Sequence, residues 1–376
     1  MPWHRAALEL VPGIELFDAH THTGCNDPDG GGCSVEDLLA ALEPVGARAV
    51  VFTTQEPDGY SEANDRILAE AAAHPGRLIP FCRLDPHADP LGEAVRCLDR
   101  GARGIKLHPR AEAFTLDEPE VRDIFALAHE RRVPVLIHAG RGIPALGAHA
   151  LAFAREFPDA SIVLAHAAVS DLSWIWRELP AYPNVFIDTS WWNAADLLAL
   201  FALVPPGNIL FASDAPYGHP SLNAIMTFRC AIQIGLGPEQ LRAIAGAQLE
   251  RLLAGEAPLD AGPAPGPPEA PADLLLDCVF SYLAFALGQL IVGGSGEDPI
   301  GLARLACTVG ENAPQAAVCR TIEGLLETQV AILADQEVST LAGPSPRRPV
   351  LLAPLLLAAT VAKTPKIAVP AELVAG

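Results

Sequence analysis

From residue 14 to about 255, short apolar runs rich in β-branched residues alternate with longer segments whose apolar positions recur at helical spacing. The runs are "IELFDAHTH" (14–22), "AVVFTT" (49–54), "LIPFCRL" (78–84), "GIKLH" (104–108), "VPVLIHA" (133–139), "SIVLAHA" (161–167), "NVFIDTS" (184–190) and "NILFASD" (208–214). Each has the length and composition of a buried strand. Helical patterns fill 35–45, 61–74, 90–101, 118–131, 145–156, 170–179 and 194–203, with two more near 220–235 and 238–253. Eight strand-then-helix units over about 240 residues predict a (β/α)8 TIM barrel. A doubly wound open sheet is the rival, and it usually has fewer strands.

The pattern stops at 256–272, "EAPLDAGPAPGPPEAPA", a Pro/Ala/Gly-rich linker. The predicted organisation is a barrel over 1–255, that linker, a smaller all-helical domain over 273–341, and an irregular Pro/Ala-rich tail over 342–376. The apolar stretch 274–292 approaches the length of a bilayer span, but Asp277 and Gln289 interrupt it, and it reads as a buried helix. The stretch 350–362 is too short to span and carries Pro354.

Chemistry-bearing residues fall at one place in this pattern. The first apolar run ends in His20 and His22, the fourth in Lys106 and His108, the fifth in His138, the sixth in His166 and the eighth in Asp214. In a barrel, the C-terminal ends of the strands meet at one mouth, where catalytic groups of this fold sit. On simple alternation, Asp18, His20 and His22 share one face of the first strand and Phe17, Ala19 and Thr21 the other. A lone H-x-H pair can ligate a metal, but it more often simply sits at a strand edge. Several imidazoles and a carboxylate at one mouth make a nitrogen/oxygen site suited to a divalent ion, zinc first, with manganese, iron or cobalt as alternatives.

The ordered motifs "FDAHTH", "GIKLHP", "PVLIHAG", "IVLAHAA" and "ILFASDAPYG" resemble those of the amidohydrolase superfamily, in its TIM-barrel amidohydrolase-related branch. "IAGAQLERLLAG" (244–255) is similar to the closing helix of that branch, so the resemblance spans about 14–255. It implies that His20, His22, His138, His166 and Asp214 surround one or two metal ions. It implies further that Asp214 both binds metal and accepts the proton of activated water. Lys106 is the first lysine in a chain that otherwise uses arginine up to residue 363. In binuclear members a fourth-strand lysine is a carbamate bridging two metals; the alternative is an ammonium facing Asp214 or an anionic substrate group. Two departures stand out. "AHAA" lacks the glycine that often follows the sixth-strand histidine, and "GAQLERLL" lacks the usual asparagine.

Other residues join as substrate contacts: Arg83 as a carboxylate clamp, His108 as a pocket or ligand-orienting group, Trp191 with Trp192 as an apolar wall, and His219 in the loop after the eighth strand. Each has an ordinary structural alternative, respectively a salt bridge, a strand-end hydrogen bond, barrel packing and a loop. "DGGGC" (29–33) lacks the spacing and strand context of a phosphate loop and reads as a flexible loop.

Charge narrows the partners. With 25 basic against 45 acidic residues, a net charge of −20 and no basic run, neither nucleic acid nor an anionic membrane is expected. The eight scattered cysteines form no C-x-x-C pair and fit a reducing cytoplasm. The N-terminus lacks the charged and apolar regions of a secretory signal. The resulting expectation is a metal-dependent hydrolase that directs activated water at an amide, lactone or ester of a small organic molecule. A non-oxidative decarboxylase of an unsaturated or aromatic acid uses the same site, and a non-catalytic scaffold is the remaining reading. The helical domain is expected to mediate a homo-oligomer or to cover the barrel mouth.

Overall fold

The computed structural model describes residues 3–28, 32–140, 142–268, 272–335 and 348–368. Parts of "DGGGC", of the linker, of the helical stretch before 341 and of the tail therefore lie outside the described residues. The expected strands are present as β1 Phe17–Thr23, β2 Arg48–Thr53, β3 Leu78–Pro80, β4 Cys82–Arg83, β5 Ile105–Leu107, β6 Pro134–Ile137, β7 Ser161–Leu164, β8 Val185–Asp188 and β9 Ile209–Leu210. All neighbouring pairs run parallel, in the order β1-β2-β3 and β4 through β9.

The third predicted run is split at Phe81 but acts as one stave. Phe81 N donates to Val51 O at 2.9 Å, and Cys82 N donates to Gly104 O at 3.0 Å. The two halves thus join the two sheets. Glycine is required at 104, because a Cβ there would fall 2.5 Å from the Phe81 ring. On the far side, Ala19 N donates to Phe211 O, Asp214 N to His20 O and His22 N to Ala215 O, at 2.9, 2.9 and 2.7 Å. The eighth stave therefore pairs with the first and the barrel closes.

Inside, Phe17, Ala19, Val50, Phe52, Phe81, Leu136, Val163, Phe186 and Leu210 form the barrel core, joined by Leu249 and Leu252 of the helix Gln248–Leu253, which closes its floor. Gly246 permits that closure, since a Cβ there would meet Phe17 Cβ at 2.8 Å. Gln248, in the segment that departs from the usual asparagine, accepts from Leu259 N at 2.8 Å and donates to Gly207 O, tying the linker to the barrel. The surrounding helices start on ordinary signals: a Ser34–Asp37 capping box, Asn193 as an N-cap, and prolines at the starts of Pro90–Asp99, Pro119–Arg131 and Pro220–Ile234.

Beyond the linker run the helices Leu274–Ile291, Glu297–Ala306, Ala316–Ala334, Arg348–Leu351 and Ala353–Lys363. Two expectations need correction. The tail is not wholly irregular: Ala353–Lys363 is a buried helix, with Pro354 in its first turn, where the missing N–H costs nothing. Leu274–Ile291 is long and apolar enough to cross a membrane, yet it buries only one face, through Leu276, Val279, Leu283, Ala286 and Leu287. The last helix packs on Leu274–Ile291 and Ala316–Ala334 and also on the barrel helix Pro220–Ile234. A buried arginine fixes that junction. Arg229 donates to Thr364 Oγ1, Thr364 O, Ile367 O and Ala368 O at 3.1, 3.1, 2.7 and 2.9 Å.

Candidate metal centre

A bulge in β1 builds the site. Asp18 pairs with Ala49 and Thr21 with Val51, so β1 spends three residues where β2 spends two. Bulges of this kind re-aim side chains beside active sites. Simple alternation, which set Phe17 and Ala19 against His20 and His22, therefore fails here. The rings of His20 and His22 lie 5.2 and 4.5 Å from that of Phe52, in the same interior as Phe17 and Ala19. Asp18 instead accepts from His20 N and Ser213 N, at 3.1 and 2.9 Å, linking the first and eighth staves.

Three donor atoms converge. His20 Nε2 and His22 Nε2 are 3.2 Å apart, and Asp214 Oδ1 lies 3.2 Å from the first and 3.1 Å from the second. Among the described residues this trio is the group able to hold a metal ion. Bonds of about 2.0–2.1 Å in a tetrahedron place ligand atoms roughly 3.3 Å apart, so the trio has the spacing of one face of such a site. Two neutral imidazole nitrogens in this contact can share one proton at most, and a cation between them relieves the remainder.

Electrostatics prepares the same atoms. Burial, reinforced by the Lys106 charge, holds the His20 imidazole well below its usual range, and burial likewise lowers His22. Both rings are thus neutral, with lone pairs to give. Burial by itself would raise the Asp214 carboxyl, but His20, the contact with His22 and nearby His166 outweigh it and hold it at about 2. Asp214 and His166 have φ of 58° and 59°, in the left-handed region that non-glycine residues seldom occupy.

Asp188 and Ser190 were missed by the sequence reading. Asp188 Oδ2 lies 2.8 Å from His20 Nδ1, while its Oδ1 accepts from His166 N at 2.9 Å and from Ser190 Oγ at 2.5 Å. A carboxylate on Nδ1 fixes the proton there and turns the Nε2 lone pair toward the trio. "NVFIDTS" obeys the same strand-end rule as the histidine runs, so the signal was present.

The other expected residues divide. Lys106 is fully buried, its Nζ 3.3 Å from His20 Nε2 and 4.8 Å above the Phe52 ring. Burial pushes its ammonium down to about 7. His138 and His166 are bonded to each other, Nδ1 to Nε2, at 2.9 Å, and His138 stacks on His108 at 3.9 Å between centroids. His166 Nδ1 is 3.9 Å from Asp214 Oδ2. This histidine pair borders the trio without joining it. Arg83 meets the buried Glu112 carboxylate at 2.7 Å, so its charge is neutralised within the protein. Trp191 lines the cavity with Nε1 held by Asp196 at 2.6 Å, whereas His219, at the start of Pro220–Ile234, lies away from the lining. The cavity above the trio encloses about 640 Å³.

A parallel barrel with a His–His–Asp trio at its mouth defines a metal-dependent enzyme of the TIM-barrel class. The amidohydrolase family model matches residues 18–247, and the chain belongs to the amidohydrolase family. No curated protein matches the sequence. Among solved structures it is similar to an uncharacterised TIM-barrel protein from Bordetella bronchiseptica, at 16% identity and a TM-score of 0.52, covering 64% of this chain and 99% of that one. It is also similar to 2,6-dihydroxybenzoate decarboxylase from Rhizobium, at 18% identity and a TM-score of 0.51, covering 64% of this chain and 98% of that one. These likenesses concern the barrel fold and leave more than a third of this chain unmatched.

Proposed function

We propose that the chain is a metal-dependent hydrolase acting on an amide, lactone or ester of a small organic substrate, with zinc as its ion. The observation that carries this reading is the trio of His20 Nε2, His22 Nε2 and Asp214 Oδ1, mutually 3.1–3.2 Å apart. A divalent ion held there supplies a Lewis acid and brings water toward deprotonation at neutral pH. His20 and His22 give neutral nitrogens. Asp214, ionised at working pH, takes a proton at Oδ2 and returns it to the leaving group. His166, held through Nε2 by His138 and through Nδ1 by Ser190 O, steadies a developing oxyanion only if its contact with His138 opens. His138 and His108 form the flanking wall. Lys106 supports either of two roles, an ammonium beside Asp214 or, as the neutral amine, a carbamate bridging a second ion.

Non-oxidative decarboxylation of an aromatic acid is the second reading. Trp191 and Trp192, 5.8 Å apart, wall the cavity as an aromatic substrate requires, and the Rhizobium relative is a decarboxylase. A panel of amides, lactones, esters and hydroxybenzoates, offered to the zinc-loaded full chain, separates the two. Release of amine or acid supports hydrolysis, and release of carbon dioxide supports decarboxylation. Metal content below about half an ion per chain after reconstitution would defeat both.

Eight free cysteines support a reducing, cytoplasmic setting. Leu274, Phe285, Val292 and Leu305 are more than half exposed on the helical segment, which supports pairing of that face with a second copy, read out by solution mass. We treat the helices after 272 as a separate domain appended to the barrel.

A further inference from the structure

The cavity over the trio has two sources of wall. Strand ends give the floor, while Leu287 and Ile291 of Leu274–Ile291, with Arg348, Leu352 and Leu356, give the outer side. These come from the part of the chain beyond the family match, which ends at 247. The placement is fixed from below. Arg229 binds four acceptors at the end of the last helix, and Lys363 Nζ meets Asp277 Oδ1 at 2.7 Å.

The charge of the lining runs against that of the chain. In a protein of net charge −20, the lining holds Arg83, Lys106, Arg110 and Arg348 against Asp27 and Asp214. Arg83 is neutralised by Glu112. Arg348 is held through one nitrogen only. Its Nη2 donates to Leu290 O at 3.0 Å and Ile291 O at 2.5 Å, capping the helix that supplies the apolar wall. Among the described residues its Nε and Nη1 make no hydrogen bond. The hydrogens on Nη1 and Nε are left to donate, singly, to an anionic group.

We propose that the C-terminal helices are the specificity wall of this enzyme. Arg348 binds an acidic group of the substrate remote from the reacting carbon, and Leu287, Leu352 and Leu356 hold the apolar body between. The substrate class is then an organic anion with an apolar middle. The assignment of a reacting end rests on the metal-site reading above; the anion and apolar contacts do not.

The test uses the zinc-loaded full chain with 4-phenylbutyrate and its neutral amide as probes, by calorimetry. Wild type is expected to bind the acid at least about tenfold more tightly than the amide. Arg348→Gln is expected to erase that preference and Arg348→Lys to keep part of it. Leu356→Trp, which fills the apolar wall and leaves the cation, is expected to weaken acid and amide alike, by about tenfold. Equal binding of the two probes by wild type, a preference that survives Arg348→Gln, or unchanged binding in Leu356→Trp would each overturn the proposal. Zinc content on the same samples tests the metal site separately. Loss of zinc with the acid preference intact defeats that site and supports the wall.

Discussion

His20 Nδ1 lies 2.8 Å from Asp188 Oδ2, and both side chains are closed to solvent. The contact joins the first stave of the barrel to the seventh. It also decides what His20 can do, because a proton fixed on Nδ1 leaves Nε2 as a lone pair facing His22 and Asp214. Asp188→Asn presents an amide that can turn its N–H toward Nδ1 and favour the other tautomer. We expect zinc affinity about 10–100-fold weaker in that variant, read by competition with a chromogenic chelator. Affinity equal to wild type would show that Asp188 only packs.

Much of this was legible in the sequence, and the failures have physical reasons. The eight staves could be read because parallel strands buried on both faces are written as nearly continuous apolar runs. The mouth could be read because His20, His22, His138, His166 and Asp214 each end such a run. The orientation of β1 could not, because a bulge adds a residue without leaving a composition signal, and alternation then assigns Phe17 and His20 to opposite faces. Asp188 ends its run in the same position, but its partner His20 lies 168 residues away and the contact leaves no local signal. The helix Ala353–Lys363 was hidden by Pro354, and Arg229, which meets its C-terminal end, is far away in sequence.

Arg229 offers a test of how firmly the helical segment is tied to the barrel. It is 1% exposed and satisfies four acceptors around the end of the last helix. Burial lowers its guanidinium only to about 10, so it remains charged at neutral pH. Arg229→Met keeps much of the volume and strands those acceptors. We expect a loss of roughly 3 kcal/mol in urea unfolding. A loss below about 0.5 kcal/mol would mean that the segment is held by its apolar contacts alone.

Lys106 makes a pH-dependent prediction for the metal-stripped chain. Burial holds its ammonium at about 7 in the folded state, against about 10.4 for an unfolded lysine. Between those values the unfolded chain binds the extra proton, so this group makes stability rise with pH. Below about 7 both states are protonated and the whole cost of burying the charge is present; above about 10.4 neither is, and the cost vanishes. Lys106→Met removes the charge. The variant should exceed wild type by roughly 4–5 kcal/mol at pH 6, with the gain shrinking toward pH 10. Urea unfolding at the two pH values reads the difference. A gain that is constant, or that grows with pH, would contradict a buried, charge-strained lysine.

The trio and the histidine pair beside it should respond differently to loss of a side chain. His22 Nε2 touches both of its partners at 3.1–3.2 Å, so His22→Ala opens the face that holds the ion. His138 reaches that face only through His166, at 2.9 Å. Elemental mass spectrometry on protein reconstituted with zinc should find less than about a tenth of an ion per chain in His22→Ala. In His138→Ala a substantial fraction should remain, bound about 10–100-fold more weakly, as expected when a group that orients or completes a site is removed. Full zinc retention in His22→Ala would place the metal elsewhere. Equal, complete loss in both variants would make His138 a direct ligand, and the bond between His138 and His166 would then have to open when the ion binds.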